Sequence, residues 1–486
     1  MSQVAPHHSE EKHQNGLNEI VDARCAQHPG LSGIHALNDG LDAFAARYLL
    51  MGMAQNTIDV QYYIWQNDMS GRLLFSALLE AAERGVKVRL LLDDNNTPGL
   101  DDTLAALDRH PNIAVRLFNP FSFRTLRMLG YLTDFARLNR RMHNKSLTVD
   151  GAATLVGGRN IGDEYFGTGD EPLFTDLDVM AIGPVVAEVA QDFERYWHSK
   201  AVSSLRKVVE VSSEPHPAVR LPEDWQDSEA VQRYLARLEH SSFVSQMAEG
   251  SLSMTWASTR LLSDDPRKGL GKAKRSSLLP QRMLEVIGTP QQQFDIISAY
   301  FVPTRAGVAQ LLALKRRGVK IAVLTNSLAA NDVSVVHAGY ARWRKKLLRH
   351  GIALYELKPQ ANASEAPHDR GLTGNSGSSL HAKTFTVDNR KVFIGSFNFD
   401  PRSAVLNTEM GLVIESDSLA QRTHQRFIQG MRDRAWTLRL DGWGRVNWVE
   451  YPDEPQEVVH IHEPQCSWVQ RLLVRLVWHL PVEWLL

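Results

Sequence analysis

Two sets of residues, far apart along the chain, have the types and spacing needed to handle a phosphate group. The first is His143, Lys145, Asp150, Gly157 and Asn160, and the second, at the same internal spacing, is His381, Lys383, Asp388, Gly395 and Asn398. A single chance match to this pattern has a probability on the order of 10⁻⁴ at average residue usage. Two matches therefore indicate a duplicated site in which imidazoles, ammonium groups and amides could converge on one anion.

Displacement at a phosphodiester needs an attacking group, a proton donor for the departing alkoxide, and donors for the phosphoryl oxygens. One neutral histidine could attack phosphorus and form a phosphohistidine, while the other, protonated, gives its proton to the leaving oxygen and then activates an incoming hydroxyl. Lys145, Lys383, Asn160 and Asn398 would hold the phosphoryl oxygens. We therefore expect no metal and no cofactor.

A working imidazole usually has its second nitrogen fixed by a carboxylate. Asp176 lies 33 residues after His143, and Glu409 lies 28 residues after His381, so both are candidates for this role. Asp178 is the alternative in the first set. An ordinary solvated acid at a strand end is the simpler interpretation of each.

An internal repeat positions these residues. A strand, a helix and a second strand recur about 235 residues later, which predicts an α/β fold with two homologous αβα sandwich halves and one active site at their interface. The first unit is 58–64, 71–84 and 85–92, the second is 294–301, 305–317 and 318–324, and the segments 113–120 and 352–359 also match. We predict a polar N-terminal arm (1–40), the first half (41–200), a connector (201–290), the second half (291–430) and a C-terminal extension with an amphipathic helix (431–486).

The motif aspartates fall at the turns of two predicted hairpins, Asp150-Gly151 and Asp388-Asn389. Strand alternation places each motif histidine and lysine on one face, with the aspartate several residues away. We therefore assign Asp150 and Asp388 a structural role.

Composition narrows the possible partners. The chain has 54 basic and 55 acidic residues, so its net charge of -1 does not favour nucleic acid. Cys25 and Cys466 are too few for a disulfide framework. We expect no signal peptide at the polar N-terminus and, without a run of about 18 apolar residues, no transmembrane helix.

These motifs resemble the phospholipase D superfamily with its two HKD motifs, and most closely the bacterial cardiolipin synthases of the cardiolipin synthase C subgroup. The resemblance spans about residues 40–430 and rests on Phe118-Asn119-Pro120-Phe121, Arg141-Met142-His143-Asn144-Lys145, Gly157-Gly158-Arg159-Asn160-Ile161-Gly162, Phe399-Asp400-Pro401-Arg402-Ser403 and Asn407-Thr408-Glu409. It implies transfer of a phosphatidyl group to phosphatidylglycerol through a phosphohistidine. It also implies that His143 is the nucleophile and His381 the acid and base.

The sequence departs from the family pattern in two respects. Gly158 stands where many members have the serine that Ser396 provides in the second motif, so one hydroxyl donor is missing. The hydrophobic anchor of other cardiolipin synthases is also absent. Two segments could instead meet lipid: 121–141, whose alternative is a core-packed helix with a basic solvent face, and 468–480, whose alternative is a docked terminal helix.

We therefore predict a peripheral enzyme at the cytoplasmic face of the bacterial inner membrane that acts on phosphatidylglycerol, with phosphatidylethanolamine as a second candidate donor and the need for an accessory protein left open. The rival functions are a phospholipase D that releases phosphatidic acid, a metal-independent nuclease, and a catalytically silent lipid-binding scaffold. The run His460-x-His462-Glu463 lacks further ligands at a suitable spacing for zinc.

Overall fold

The computed structural model of the chain describes residues 16–122, 124, 127–167, 176–209, 229–331, 334–359 and 380–478. Residues 1–15 of the predicted arm, residues 210–228 of the predicted connector and the last eight residues lie outside these ranges.

The first half alternates strands with helices. Its helices are capped where the sequence provides acceptors: Asp39 accepts hydrogen bonds at the start of the helix that follows it, and Asp68 accepts one from the backbone N–H of Gly71. The elements in chain order are α1 (Leu17–Cys25), β1 (Ser32–Leu37), α2 (Gly40–Met53), β2 (Thr57–Tyr62), α3 (Met69–Glu83), β3 (Lys87–Asp93), α4 (Asp101–Arg109), β4 (Ile113–Phe118), α5 (Arg127–Leu138), β5 (Ser146–Val149), β6 (Ala153–Gly157), α6 (Asp163–Phe166), β7 (Asp178–Ile182), α7 (Pro184–Trp197) and β8 (Val202–Ser204).

The second half repeats this plan after a short linking region. The remaining elements are α8 (Glu229–Glu239), α9 (Ser242–Ala248), β9 (Thr255–Ser263), α10 (Leu279–Ile287), β10 (Gln293–Ser298), α11 (Thr304–Arg316), β11 (Lys320–Asn326), α12 (Ser334–Arg349), β12 (Ala353–Leu357), β13 (Lys383–Val387), β14 (Lys391–Gly395), a π-helical turn (Arg402–Leu406), β15 (Met410–Glu415), α13 (Asp417–Arg434), β16 (Ala435–Leu440), β17 (Val446–Glu450), β18 (Val458–His460) and α14 (Trp468–Trp478).

Strand order shows the duplication directly. The first sheet runs β4-β3-β2-β5-β6-β7 and the second runs β12-β11-β10-β13-β14-β15. In each sheet the first three strands are parallel to one another, and each of the following three strands pairs antiparallel with its neighbour. The predicted α/β fold with two homologous halves is confirmed.

A shared apolar cluster joins the halves. Val156 of β6 and Val179 of β7 are fully buried with Ile394 of β14 and Leu412 of β15. Each half also has its own core between sheet and helices. Burial of these aliphatic side chains fixes the two sheets against each other, and with them the ends of the hairpins that carry the motifs.

The linking region differs from a plain connector. The first three residues of β9 pair with β1 of the first sheet, and the rest of the strand pairs with β15 of the second. The N-terminal arm predicted for 1–40 is likewise wrong over 32–37, because β1 pairs with β7 and buries Ile34 and Leu37. The sequence around β1 and around β9 does not indicate these long-range partners.

The C-terminal helix α14 packs by Val474 and Val477 and leaves a separate apolar stripe exposed. Val474 is buried beside Leu328 and Ala338, with Val477 against the same cluster. The exposed stripe consists of Val469, Leu472, Leu473 and Leu476. Among the described residues, no helix is long and apolar enough to cross a bilayer.

Candidate active site

The two motifs meet in one cavity of about 350 Å³ between the halves. His143 and Asn160 line it from the first half, and His381 and Asn398 line it from the second. The histidines stand just before β5 and β13, and the asparagines follow β6 and β14. The shared sheet plan therefore brings equivalent strand ends together from opposite sides.

Backbone pairing ties the first motif to the second half. The His143 N–H donates to the carbonyl oxygen of Thr408 at 2.9 Å, and the Thr408 N–H donates to that of Arg141 at 2.9 Å. Glu409 is the next residue after Thr408. The carboxylate is thus placed beside His143 by main-chain hydrogen bonds rather than by a flexible loop.

Each histidine bonds to the carboxylate of the opposite half. His143 Nδ1 lies 2.9 Å from Glu409 Oε2, and His381 Nδ1 lies 2.6 Å from Asp176 Oδ2. The matched distances along the sequence do not reveal this crossing. An Nδ1–H that donates to a carboxylate leaves the Nε2 lone pair available for chemistry.

The carboxylates are held differently. Ser396 donates its hydroxyl to Glu409 Oε2, and the Glu409 N–H donates to Asp264. Asp176 Oδ1 instead accepts from the backbone N–H of Leu177 at 2.7 Å. A serine facing Asp176 has no room, because a Cβ on Gly158 would lie 2.2 Å from Asp176 Oδ1. The missing hydroxyl of the first motif therefore reflects the close approach of this carboxylate.

Asp178, the alternative orienting acid, serves the fold. Its Oδ2 lies 2.8 Å from Arg47 Nη2, and its Oδ1 accepts from the Arg159 N–H at 3.1 Å. All three residues are buried. The acid is bound by two arginines and does not reach a histidine.

Both imidazoles are neutral at neutral pH. Burial lowers the pKa of His143 to about 4, against the opposing charge of Glu409. Burial and the nearby Lys383 charge lower the pKa of His381 to about 3. Burial opposes ionisation of Asp176 and Glu409 as well, but the hydrogen bonds from their histidine partners and the positive charges of Lys383 and Lys145 outweigh it and lower both pKa values. Both carboxylates are therefore ionised.

The lysines lie beside the site without lining the cavity. Lys145 Nζ donates to the carbonyl oxygen of His143 at 2.7 Å, and Lys383 donates to that of His381. Both side chains are buried. Burial, together with the repulsion of Lys383, lowers the pKa of Lys145 to about 7. Each ammonium group is thus held against the backbone of the histidine of its own motif.

The asparagines are fixed by neighbouring backbone. Asn160 accepts from the Ile64 N–H at 3.3 Å and donates to the Tyr165 hydroxyl at 2.9 Å, and Asn398 accepts from the Tyr300 N–H at 3.5 Å. Because the side-chain oxygens accept from the protein, the amide NH₂ groups are the parts that can serve an anion.

Asp150 and Asp388 lie at the hairpin turns, away from the cavity. Both have positive φ, 52° and 53°. Asp150 accepts backbone hydrogen bonds from residues 55, 56 and 57, and Asp388 accepts them from residues 291, 292 and 293. Each carboxylate therefore fastens a hairpin to the start of the neighbouring parallel strand.

Sequence reasoning did not assign several of the residues at the cavity wall to the site. Tyr63 contacts the His143 ring edge to face at 4.8 Å, and Tyr165 contacts the His381 ring in the same way at 5.1 Å. Asp400 and Arg402 also line the cavity. Tyr63 follows the end of β2, where parallel strands commonly present functional residues, and this was the available signal.

The discounted zinc run has other partners. His460 bonds to Glu450 at 2.8 Å, and Glu463 bonds to Arg344 at 2.7 Å. Across the described ranges, no group of three or more histidine, cysteine or acidic residues is arranged to hold a metal ion.

Comparison with known proteins gives consistent results. The family model described as "Cardiolipin synthase, PLD-like domain" matches residues 49–197 and again 283–431. The chain is 66% identical to cardiolipin synthase C of Escherichia coli strain K12 over 97% of this chain and 99% of that protein. It is 25% identical to cardiolipin synthase B of the same strain over 84% of this chain and 81% of that protein. Phosphatidylserine synthase from Haemophilus influenzae Rd KW20 has a similar fold, with a TM-score of 0.60 at 15% identity, covering 96% of this chain and all of that one.

Replacing Gly158 should disturb the site through Asp176. Gly158→Ala places a methyl group against Asp176 Oδ1, so we expect kcat to fall by about 100-fold or more, as when an orienting or proton-transfer group is lost. Steady-state kinetics would measure this. If the effect passes through the carboxylate, Gly158→Ala combined with Asp176→Asn should be no worse than Asp176→Asn alone. The matched control is Gly52→Ala, where a Cβ meets nothing within 4 Å. A wild-type kcat in Gly158→Ala would contradict this account.

Anion binding should be coupled to proton uptake. The pKa values of His143, His381 and Lys145 are lowered in the empty site, and a bound anion favours their charged forms and raises these pKa values. The bound state then holds more protons than the free state at about pH 7. Titration calorimetry with tungstate, a tetrahedral dianion that does not itself titrate at this pH, would show uptake of roughly one proton as a dependence of the heat on buffer ionisation enthalpy.

The control for this measurement is the His143→Gln/His381→Gln double variant, in which only the Lys145 contribution should remain. Identical heats in buffers of different ionisation enthalpy would refute the coupling.

Proposed function

This chain belongs to the family of cardiolipin synthases with phospholipase D-like domains, and from that membership we propose that it transfers a phosphatidyl group from a donor phospholipid to the free hydroxyl of phosphatidylglycerol. The product is cardiolipin. The match over nearly the whole length of a cardiolipin synthase supports this activity.

One observation carries the mechanism: two histidines line a single cavity, and each is held by a carboxylate from the other half. A transfer that passes through a covalent intermediate needs a nucleophile on one side of phosphorus and a proton carrier on the other. The duplicated motifs supply these two roles with the same residue type.

In the first step, His143 Nε2 attacks phosphorus and a phosphorus–nitrogen bond forms. The bond from phosphorus to the headgroup oxygen breaks, and protonated His381 gives its proton to that oxygen. Glu409 accepts the Nδ1–H of His143 and stabilises the positive charge that develops on the attacking ring. Since the pKa of His381 is low in the empty site, the bound phosphate provides the charge that favours its protonated form.

In the second step, His381 takes the proton of the phosphatidylglycerol hydroxyl. The new oxygen bonds to phosphorus, the bond to His143 breaks, and His381 is again protonated. The proton that His381 gave to the departing headgroup is thus replaced by the proton of the phosphatidylglycerol hydroxyl. Asp176 keeps the His381 ring oriented through both steps.

The lysines and asparagines stabilise the negative charge on the phosphoryl oxygens. Lys145 and Lys383 create a positive potential beside the cavity, although each is tied to a carbonyl oxygen in the empty site. Asn160 and Asn398 present amide donors from its walls. Such preorganised charges act strongly where water is scarce.

Exclusion of water separates transfer from hydrolysis, because water could replace the acceptor hydroxyl in the second step. The side chains of His143 and His381 are only 10% and 18% exposed, which limits the water that reaches them. This burial favours transfer over the phospholipase D reaction.

We assign the contact with the bilayer to two exposed apolar surfaces. The first is on α5, where Leu129, Leu132 and Phe135 point to solvent and Leu132 is 82% exposed. The arginines of the same segment turn inward: Arg127 bonds to the carbonyl oxygen of Asp94, and Arg137 bonds to Asn119 at 2.6 Å. This is the reverse of the core-packed helix with a basic solvent face.

The second surface is the leucine stripe of α14, with Arg471 and Arg475 on the same helix. Exposed leucines next to cations suit the interface of an anionic membrane. Both surfaces support a peripheral enzyme, which we place at the cytoplasmic face of the inner membrane, where phosphatidylglycerol or phosphatidylethanolamine would be the donor.

The decisive experiment follows the products. Purified protein is incubated with phosphatidylglycerol vesicles, with or without isotopically labelled phosphatidylethanolamine, and the lipids are analysed by mass spectrometry. We expect cardiolipin as the main product, and label in cardiolipin identifies the phosphatidylethanolamine as donor. Phosphatidic acid as the main product would instead indicate hydrolysis, and no lipid product would refute the function.

The same assay with an activated donor tests the histidine roles. Phosphatidyl-p-nitrophenol has a leaving group that needs no proton, so His381→Ala should still release a burst of nitrophenol and leave a phosphatidyl adduct on His143, trapped at alkaline pH. His143→Ala should show neither. The reverse pattern would exchange the two roles.

Membrane binding should depend on the exposed apolar surfaces. Two triple variants test this, Leu129→Ser/Leu132→Ser/Phe135→Ser and Leu472→Ser/Leu473→Ser/Leu476→Ser. Each should lose about 3 kcal/mol of membrane-binding free energy, at roughly 1 kcal/mol per partly exposed side chain. Affinity for phosphatidylglycerol vesicles in a cosedimentation assay should therefore fall by about 100-fold.

The matched control is Val458→Ser/Val459→Ser/Ile461→Ser, three exposed aliphatic residues elsewhere on the surface, which should bind vesicles normally. Normal binding by both helix variants would refute the assignment.

A further inference from the structure

A second cavity, of about 480 Å³, lies in the second half and is lined mainly by apolar residues. We call it the apolar cavity. It opens between α10 and α11 over the sheet, and its lining includes Met283, Leu284 and Ile287 of α10, Leu311 and Leu314 of α11, and Phe385 of β13. The charged side chains among its lining residues are Arg317, which is exposed, and Asp400, which is buried.

The apolar cavity and the catalytic cavity share one wall. Asp400 lines both. Successive residues of the segment after β14 face one cavity or the other: Asn398, Arg402 and Ser403 line the catalytic cavity, and Phe399, Pro401 and Ala404 line the apolar one. The two spaces are therefore separated by the thickness of one chain segment.

The corresponding space in the first half is filled. The bridge between Trp65 and Ile161 repeats in the second half as the bridge between Phe301 and Phe399, which fixes the equivalence of the two regions. Around the first bridge, Trp65 stacks on Phe75 at 4.4 Å and the long helix α2 buries Phe44. In the second half the shorter α10 buries only Leu279, and Leu284 is 54% exposed.

A pair of equivalent glycines shows the same contrast. Gly71 in α3 is required, because a Cβ there would lie 1.9 Å from the carbonyl oxygen of Gln66. At Gly307 in α11 the nearest atoms to an added Cβ, on Phe399 and Pro303, are at the ordinary contact distances of 3.5 and 3.6 Å. The two positions are equivalent in the repeat, but a side chain has room only at Gly307.

The chemistry of the lining selects a hydrocarbon occupant. Ligand sites typically have volumes of about 300–1,000 Å³ and position polar groups to fix a polar ligand. Most residues that line the apolar cavity are aliphatic, aromatic or proline, and its polar residues are Gln281, Thr289, Thr304, Gln310, Arg317 and, at the shared wall, Asp400. Burial raises the pKa of Asp400 to about 7, so this carboxyl can stand beside hydrocarbon with reduced charge. The catalytic cavity, in contrast, is lined by imidazoles, amides and a guanidinium and does not suit an acyl chain.

We propose that the apolar cavity binds one acyl chain of the phospholipid whose phosphate lies between His143 and His381. The proposal rests on the phosphatidyl transfer proposed above. The acyl chain passes beside Asp400, which lines both cavities, and lies between α10 and α11. Binding a chain there draws the phosphodiester out of the bilayer surface and holds it at the histidines.

A chain-length series tests this proposal. The substrates are short-chain phosphatidylglycerols, from dibutyryl to dioctanoyl, used below their critical micelle concentration. Their acyl chains therefore enter the protein from water and not from a micelle. We expect kcat/KM of the wild-type protein to rise by up to about fourfold per added methylene in the chain that enters the cavity. Gly307→Leu puts a side chain into the apolar cavity and should flatten this rise, while the dibutyryl substrate is turned over normally.

Two controls accompany the substitution. Gly307→Ala adds a methyl group at ordinary contact distance and should keep most of the chain-length dependence. Gly52→Leu makes the same exchange in an exposed helix position of the first half and should behave as wild type. Leucine has a higher helix propensity than glycine, so neither Gly307→Leu nor Gly52→Leu should weaken the helix that contains it.

A second measurement does not depend on turnover. Phosphatidylglycerol that carries a diazirine in the middle of one acyl chain is photolysed with the wild-type protein, and the adducts are mapped by mass spectrometry. Adducts on α10 and α11 that disappear in Gly307→Leu support the proposal.

Adducts only outside these helices, or equal loss of activity on all chain lengths in Gly307→Leu, would overturn it. Absence of lipid transfer by the wild-type protein would instead overturn the proposed function, so the two failures are distinguishable.

Discussion

The crossed hydrogen bonds between histidine and carboxylate are the interaction on which the site depends. Glu409 of the second half holds His143, and Asp176 of the first half holds His381. Neither half can orient its own imidazole, so the duplicated domains must pack together before a competent site exists. The apolar cluster between β6, β7, β14 and β15 provides that packing, and the backbone bonds between His143 and Thr408 set its register. The fold and the chemistry are therefore linked through one interface.

Burial sets the charge state of this interface. Two ionised carboxylates balance two buried lysines, and the imidazoles between them stay neutral because desolvation disfavours a further positive charge. A phosphate that binds between the imidazoles adds negative charge and so favours their protonated forms. The charge state needed for proton transfer therefore arises when the substrate binds.

The two halves share a plan but have diverged where function requires it. Gly158 makes room for Asp176, whereas Ser396 donates a hydroxyl to Glu409, so the two histidines differ in their support. The region around Trp65 is filled in the first half, and its counterpart around Phe301 is open. Surface helices show the same departure from simple patterning, since α5 and α14 turn apolar residues outward and pack by polar or narrow faces. These features are properties of packing that hydrophobic periodicity does not reveal.

Sequence reasoning was sufficient for the repeated fold, because periodic apolar runs and turn residues act locally: the hairpins at Asp150 and Asp388 and the parallel units around them follow from patterns a few residues long. Repetition of the histidine, lysine and asparagine motif identified the residues of the site for the same reason. The sequence could not determine which carboxylate serves which histidine, that the lysines stand behind the cavity, that β1 and β9 join the sheets, or that the second half has an apolar cavity. Each of these depends on contacts between segments far apart along the chain, whose geometry is decided only when the two halves bury their shared surface.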